Sequence, residues 1–220
     1  MEIKRDYYLN KLIEAKGDKL IKVITGIRRC GKSYLLDPIF KNHLISSGVK
    51  EDHIIKLELD RRENYKYHNP DELNNFIKEQ IKDKDMYYIL LDEIQLVQNF
   101  ESVLNGLLYD NNIDVYVTGS NSKFLSTDII TEFRGRGEEI RIYPIGFDEF
   151  MQVSKKDKLD SWLEYSTYGG LPLVLSFKSE EKKIEYLKEQ ARQCLYKWCT
   201  WEKSYKKWFR TANIIRNDFI

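Results

Sequence analysis

Residues 26–33 read Gly26-Ile27-Arg28-Arg29-Cys30-Gly31-Lys32-Ser33, a G-x-x-x-x-G-K-S pattern with every position filled. Upstream lies Ile21-Lys22-Val23-Ile24-Thr25, an apolar, β-branched run that reads as a buried strand. Downstream, Tyr34-Leu35-Leu36 opens a helix expected to reach about Ser46. A strand, a glycine loop and a helix in that order are what a P-loop requires. Gly26 and Gly31 let the backbone turn tightly and approach an anion. The loop N–H groups converge on phosphate. The whole segment from Gly26 through Ile27, Arg28, Arg29, Cys30, Gly31, Lys32 and Ser33 to Tyr34 is therefore the expected phosphate cradle. Within it Lys32 supplies a compact positive charge, and the Ser33 hydroxyl suits a hard cation such as magnesium. Arg28 and Arg29 either add phosphate contacts or are structural or exposed. Cys30 reads as a tolerated small residue whose thiol is open to oxidation beside two arginines.

A second segment pairs with the first. Met86-Tyr87-Tyr88-Ile89-Leu90-Leu91-Asp92-Glu93 is a near-continuous apolar run ending in two carboxylates, as expected of a central strand buried on both faces. Asp92 stands where a carboxylate would help hold magnesium. Glu93, the next residue, points elsewhere and is placed to orient and polarise an attacking water.

Three further strands are expected, at 53–60, 114–121 and 139–143, alternating with helices. Asn69 caps one helix, with Pro70 in its first turn. Phe100, Val103, Leu104, Leu107 and Leu108 mark another, and one more is expected from about Ser122. Five strands with intervening helices predict an α/β fold, a parallel five-stranded sheet sandwiched by helices. The expected division is a core over 1–145 and a small helical extension over 146–220, with a long charged helix from near Ser179. The basic, Trp-rich stretch 194–210 reads as a helix with one exposed face and one aromatic, partner-facing face, with single-stranded nucleic-acid binding as the alternative.

Ligands collect at the carboxyl ends of such strands. Thr118-Gly119-Ser120-Asn121 ends one of them, and Ser120 or Asn121 is the candidate to hydrogen-bond a γ-phosphate or the lytic water. Arg134 and Arg136 lie in a glycine-flanked loop, and either fits an arginine that reaches the site of a neighbouring subunit. That role implies a homo-oligomer.

Composition sets outer bounds. The chain has 220 residues, enough for one α/β domain and an appendage. Its 36 basic and 35 acidic residues leave a net charge of +1, which gives no global attraction to nucleic acid or an anionic membrane. The apolar runs are too short for a membrane span. The charged amino terminus lacks an apolar signal core, so a cytoplasmic protein is expected. Three cysteines do not make a disulfide framework, and Cys194 and Cys199 have no His or Cys nearby to complete a zinc site.

Taken in order, GIRRCGKS, YYILLDEIQ, VYVTGSNS, FRGRGEEIRIYPIGFDEF and YGGLP resemble the prokaryotic AAA-superfamily ATPases generally known as predicted ATPases. The opening segment RDYYLNKLI is similar too, and the resemblance covers about residues 1 to 175. It implies an AAA-type core in which the sensor strand separates the strand of Asp92 from that of the P-loop. It also implies ATP and magnesium as cofactors. Lys32 and Ser33 would be phosphate and metal residues, Asp92 a metal residue and Glu93 the catalytic base. Ser120 or Asn121 would be the sensor, and Arg134 or Arg136 the trans-acting arginine. Members usually run on through a winged-helix-like segment into a nuclease-like domain, so this chain reads as a C-terminally shortened form. ATP is expected over GTP because no guanine-reading N-K-x-D box is present. The expected activity is magnesium-dependent ATP hydrolysis. The alternatives are a nucleotide-binding switch with little turnover, or a regulator associated with nucleic acid, acting on a protein or nucleic-acid partner.

Overall fold

The computed structural model describes residues 3–119, 133 and 135–192. Five parallel strands form one sheet: β1 (Ile21–Thr25), β2 (Ile54–Glu58), β3 (Tyr87–Asp92), β4 (Ile113–Thr118) and β5 (Gly137–Arg141). Their spatial order is β2-β3-β4-β1-β5, so β4 lies between the P-loop strand and the strand of Asp92. The register pairs Val23 with Val117, and Leu91 with Val117 on the other side. All residues of β1, β3 and β4 are buried, which is why these strands read as continuous apolar runs rather than alternating ones.

Alternation reappears once the two faces are separated. Val23, Leu57, Ile89, Leu91, Val115 and Val117 pack into one core. Helices α4 (Pro70–Gln80) and α5 (Phe100–Leu107) close it through Leu73, Ile77, Val103, Leu104 and Leu107. Ile24, Ile54, Tyr88, Leu90, Tyr116 and Ile140 face the opposite core. That face is closed by α1 (Asp6–Glu14) through Tyr8 and Leu12, and by α2 (Lys32–Tyr34) and α3 (Lys41–Ser46) with the segment between them. The result is the three-layer α/β architecture of P-loop nucleotide-binding domains.

Local signals explain the boundaries. Asn69 Oδ1 accepts from the N–H groups of Asp71 (2.9 Å) and Glu72 (3.3 Å) and so starts α4. The helix after the P-loop departs from the expected unbroken run to Ser46. It kinks at Asp37, whose φ of −145° and ψ of 120° are extended, because Pro38 excludes the helical conformation from the residue before it. The last strand sits two residues earlier than expected, since Gly137 already pairs with Ile21. The expected helix from about Ser122 lies outside the described residues, as does the stretch 194–210.

Two compact units divide the chain between Lys155 and Lys156. The first therefore runs past the expected boundary at 145, and the reason is visible in α6 (Phe147–Met151). Phe150 is buried, Glu149 pairs with Arg5 (3.1 Å), and Gln152 exchanges two hydrogen bonds with the backbone of Lys4. In the second unit α7 (Lys158–Tyr168) is capped by Asp157, α8 (Pro172–Ser176) begins on a proline, and 180–192 is helical. Glu164 there joins Lys156 and Lys183. Among the described residues, no helix is long and apolar enough to cross a membrane.

Candidate functional site

The candidate residues gather at the carboxyl ends of β1, β3 and β4. Gly26 leaves β1 with φ +149°, and an added Cβ would sit 2.4 Å from the Ile142 carbonyl oxygen and 2.9 Å from Cys30 Sγ. Only glycine fits there, because both the backbone angle and the space exclude a side chain. Arg29 (φ +66°) and Gly31 (φ +99°) complete the turn. Lys32 is almost wholly buried, and its ammonium donates to the carbonyls of Gly26 (3.0 Å) and Ile27 (3.1 Å). The charge is thereby held inside the loop, with one of its three N–H donors beyond those two bonds. Ile27, Arg28, Arg29 and Tyr34 are exposed around it.

Cys30 differs from expectation. Its side chain is fully buried beside Ile142, and burial pushes its thiol above the ordinary range. A buried, protonated thiol is a poor nucleophile and a poor target for oxidants. Its carbonyl accepts from buried Arg5 (3.0 Å), which also donates to the Tyr143 carbonyl (2.7 Å) and Glu149. The amino-terminal arginine thus braces the loop from behind.

Asp92 is buried at the end of β3. Burial raises its carboxyl above the usual range, and the charges of Glu93 and Asp60 push the same way. Hydrogen bonds with the hydroxyls of Thr118 and Ser33 oppose that rise. The Ser33–Asp92 link joins the phosphate loop to the acidic strand. A desolvated carboxylate hydrogen-bonded to the hydroxyl of the glycine loop offers hard oxygen donors of the kind a divalent cation takes. The residues present therefore fit magnesium.

Glu93 adopts a left-handed turn (φ +57°, ψ +46°) at the end of β3. Its N–H donates to Thr118 Oγ1 (3.1 Å), and its carboxylate accepts from Gln95 Nε2. Beside this group lies a cavity of about 360 Å³ lined by Ser33, Asp37, Lys56, Glu58, Asp60 and Asp92, among others. Lys56 bridges Asp37 and Glu58 there.

Ser120, Asn121 and Arg134 lie outside the described residues. Arg136 is described, and it is not brought to the site. Its carbonyl accepts from Ile21 N–H (2.8 Å), at the start of β1, and its guanidinium lies over the Tyr109 ring. The P-loop leaves the other end of that strand, about 13 Å away at roughly 3.3 Å per residue. Thr118, Gln95, Asp60 and Lys56 were not singled out from the sequence. Thr118 stood inside the quoted strand end, but its pairing with Asp92 and Glu93 depends on strand order.

Comparison with known proteins identifies the family and the fold. A family model described as "AAA domain" matches residues 18–151. An uncharacterised protein of Haemophilus influenzae is 35% identical over 179 residues, 79% of this chain and 44% of that protein. One from Methanocaldococcus jannaschii is 32% identical over 234 residues, 99% of this chain and 49% of that protein. The chain spans about half the length of these curated relatives. Among solved structures, the Walker-type ATPase of Pyrococcus abyssi superposes with a TM-score of 0.58 at 18% identity, over 89% of this chain and 74% of that one. PCH-2 of C. elegans gives 0.54 at 13% identity, over 76% and 49%. AMPPCP-bound DnaA from Aquifex aeolicus gives 0.50 at 16%, over 82% and 58%. At these identities the structural likeness is one of fold.

Proposed function

The chain belongs to the AAA domain family, and from that premise we propose that it binds ATP with magnesium and hydrolyses the γ-phosphate. The observation that carries the reading is the link from Ser33 to Asp92 and on through Thr118 to the Glu93 backbone. Phosphate-binding loop, metal-binding carboxylate and candidate base form one connected cluster.

Each residue then has a task. The loop from Gly26 to Ser33 holds the phosphates, with Lys32 at the β- and γ-phosphates. Ser33 and Asp92 hold magnesium, which when bound neutralises phosphate charge. Glu93 takes a proton from the water that attacks the γ-phosphorus as the bond to the bridging oxygen breaks. Positioning and charge neutralisation supply most of the rate in such reactions. Ser120 or Asn121 is the proposed sensor of the γ-phosphate. ATP is proposed over GTP because the N-K-x-D box is absent.

The position of Arg136 favours a second reading of the chain on its own. The glycine loop of its own subunit lies at the far end of β1, so Arg136 serves a nucleotide site only across an interface. A lone subunit then binds ATP and turns it over slowly.

Fluorescent-ATP titration and phosphate release, with wild type and Lys32→Ala side by side, test the proposal. Loss of a charge-assisted contact of about 1.5–3 kcal/mol corresponds to a weakening of roughly 10- to 150-fold. Equal affinity in the two proteins would refute the assignment of the loop.

A further inference from the structure

We propose that Thr118 is a positioning residue for ATP hydrolysis, one hydroxyl fixing both the metal-side carboxylate of Asp92 and the backbone turn that aims Glu93. The inference rests on the ATPase reading above and goes beyond it by assigning a role to a residue whose hydroxyl is spent on Asp92 and the Glu93 backbone.

Thr118 is the last residue of β4 and is fully buried. The Leu91–Val117 register sets it beside the end of β3, one step before the chain of β3 turns. A hydroxyl has one proton and two lone pairs. Here the proton goes to Asp92 Oδ1, and a lone pair accepts the N–H of Glu93. The two bonds have a fixed polarity. Because the Glu93 N–H can only donate, the Thr118 oxygen accepts it and turns its own proton toward Asp92. Asp92 is thereby addressed as a carboxylate, the form a cation needs.

The same hydroxyl supports an unusual backbone. Glu93 is a non-glycine residue with φ +57°, a conformation that persists where surrounding bonds over-determine it. Its N–H is one of those bonds, and its carboxylate is tied to Gln95. Removing the hydroxyl frees the turn that points the base and leaves one oxygen of Asp92 without its donor. Outer partners of metal ligands act in this way, by orienting the groups that touch the metal. A residue that merely fills the core would affect stability alone.

The test compares wild type, Thr118→Val and Thr118→Ser as full chains. Valine keeps the shape and deletes the hydroxyl, whereas serine keeps the hydroxyl. Four readouts are taken: melting temperature, ATP affinity in EDTA, Mn2+ affinity of the ATP complex by electron paramagnetic resonance, and kcat with KM. For Thr118→Val we expect Mn2+ binding weakened about 10-fold and kcat reduced about 10- to 100-fold, as for lost outer-shell partners of a metal site. ATP affinity in EDTA should stay within about 2-fold, since the phosphate cradle does not use this hydroxyl. Thr118→Ser should restore most of both losses. If the valine variant fails to fold, Thr118→Cys, with a weakly hydrogen-bonding thiol, takes its place and should fall between serine and wild type on one side and loss on the other. A folded variant without the hydroxyl that keeps wild-type kcat and Mn2+ affinity overturns the inference, as does a serine variant no better than valine. Wild type that binds ATP but releases no phosphate at any concentration overturns the ATPase reading itself, a result separate from either.

Discussion

Gly26→Ala puts the geometry of the phosphate loop to a quantitative test. The new Cβ would stand 2.4 Å from the Ile142 carbonyl oxygen and 2.9 Å from Cys30 Sγ. The cysteine can rotate, but the carbonyl cannot, because it belongs to a buried residue whose N–H donates to Thr25 O (2.8 Å). Relief therefore requires moving either the loop or the strand extension by about 1 Å, enough to forfeit much of a van der Waals contact. Holding a non-glycine residue at φ +149° costs about 1–3 kcal/mol, and loosening the Ile142–Thr25 bond costs about 1 kcal/mol. The sum, about 2–4 kcal/mol, lowers the melting temperature by roughly 5–15 °C for a chain of this size. If the loop moves instead, stability is spared and ATP affinity falls. Gly106→Ala is the control. Gly106 lies in α5 with nothing within 4 Å of an added Cβ, and alanine there should stabilise by about 0.5–1 kcal/mol. Thermal melts and ATP titration of both variants decide the matter. A Gly26→Ala protein that melts and binds ATP like wild type would refute the packing argument.

Three further outcomes follow from other parts of the molecule. Asp114 is buried and accepts from Lys22 (2.6 Å), Gly17 N–H (3.0 Å) and the Tyr116 hydroxyl (3.1 Å), while Lys22 is wholly buried. Lys22 also pairs with Asp18, so Asp114→Ala weakens its pairing and strips the Gly17 N–H and Tyr116 hydroxyl of an acceptor, at a cost of about 1–3 kcal/mol in urea unfolding; an unchanged unfolding midpoint would contradict this. The hydrogen bond to Asp52, followed by that to Asp83, raises the His53 imidazole above its ordinary value near 6.5. Its contribution to stability is thus complete below that value and is lost as pH rises through the raised one. Melting temperature should fall from pH 6 to pH 8.5 more steeply in wild type than in His53→Asn, and parallel curves would contradict the assignment. Specific activity should rise with protein concentration, Arg136→Ala should lower turnover with ATP affinity retained, and mixing it with Glu93→Gln should restore some phosphate release. A strict monomer with concentration-independent activity would defeat the arginine acting in trans.

Much of this was legible in the chain because the informative features are local. A glycine loop between a strand and a helix, and an apolar strand ending in Asp92 and Glu93, depend on residues adjacent in sequence. Asn69 caps its helix through N–H groups two and three residues on, and that was readable for the same reason. What stayed hidden is long-range. Arg5 reaches Cys30, Tyr143 and Glu149 across as many as 144 residues, and nothing near Arg5 announces those partners. Thr118 does not stand out beside Ser120 and Asn121, because chain order alone does not say which strand-end group faces Asp92. The Asp37–Pro38 break was a local signal outweighed by the apolar spacing around it. The arginines beside Cys30 in sequence suggest a reactive thiol, whereas its environment is set by burial against Ile142.

In the proposed mechanism Glu93 acts as the base of an ATP-hydrolysing site while Ser33 and Asp92 hold the metal. Single-turnover hydrolysis of ATP by Glu93→Gln, with magnesium and with enzyme in excess, addresses it directly. The account predicts ATP and magnesium binding equal to wild type and a hydrolysis rate reduced about 10²-fold or more, as expected for loss of a general base. A Glu93→Gln protein that hydrolyses bound ATP as fast as wild type would contradict it.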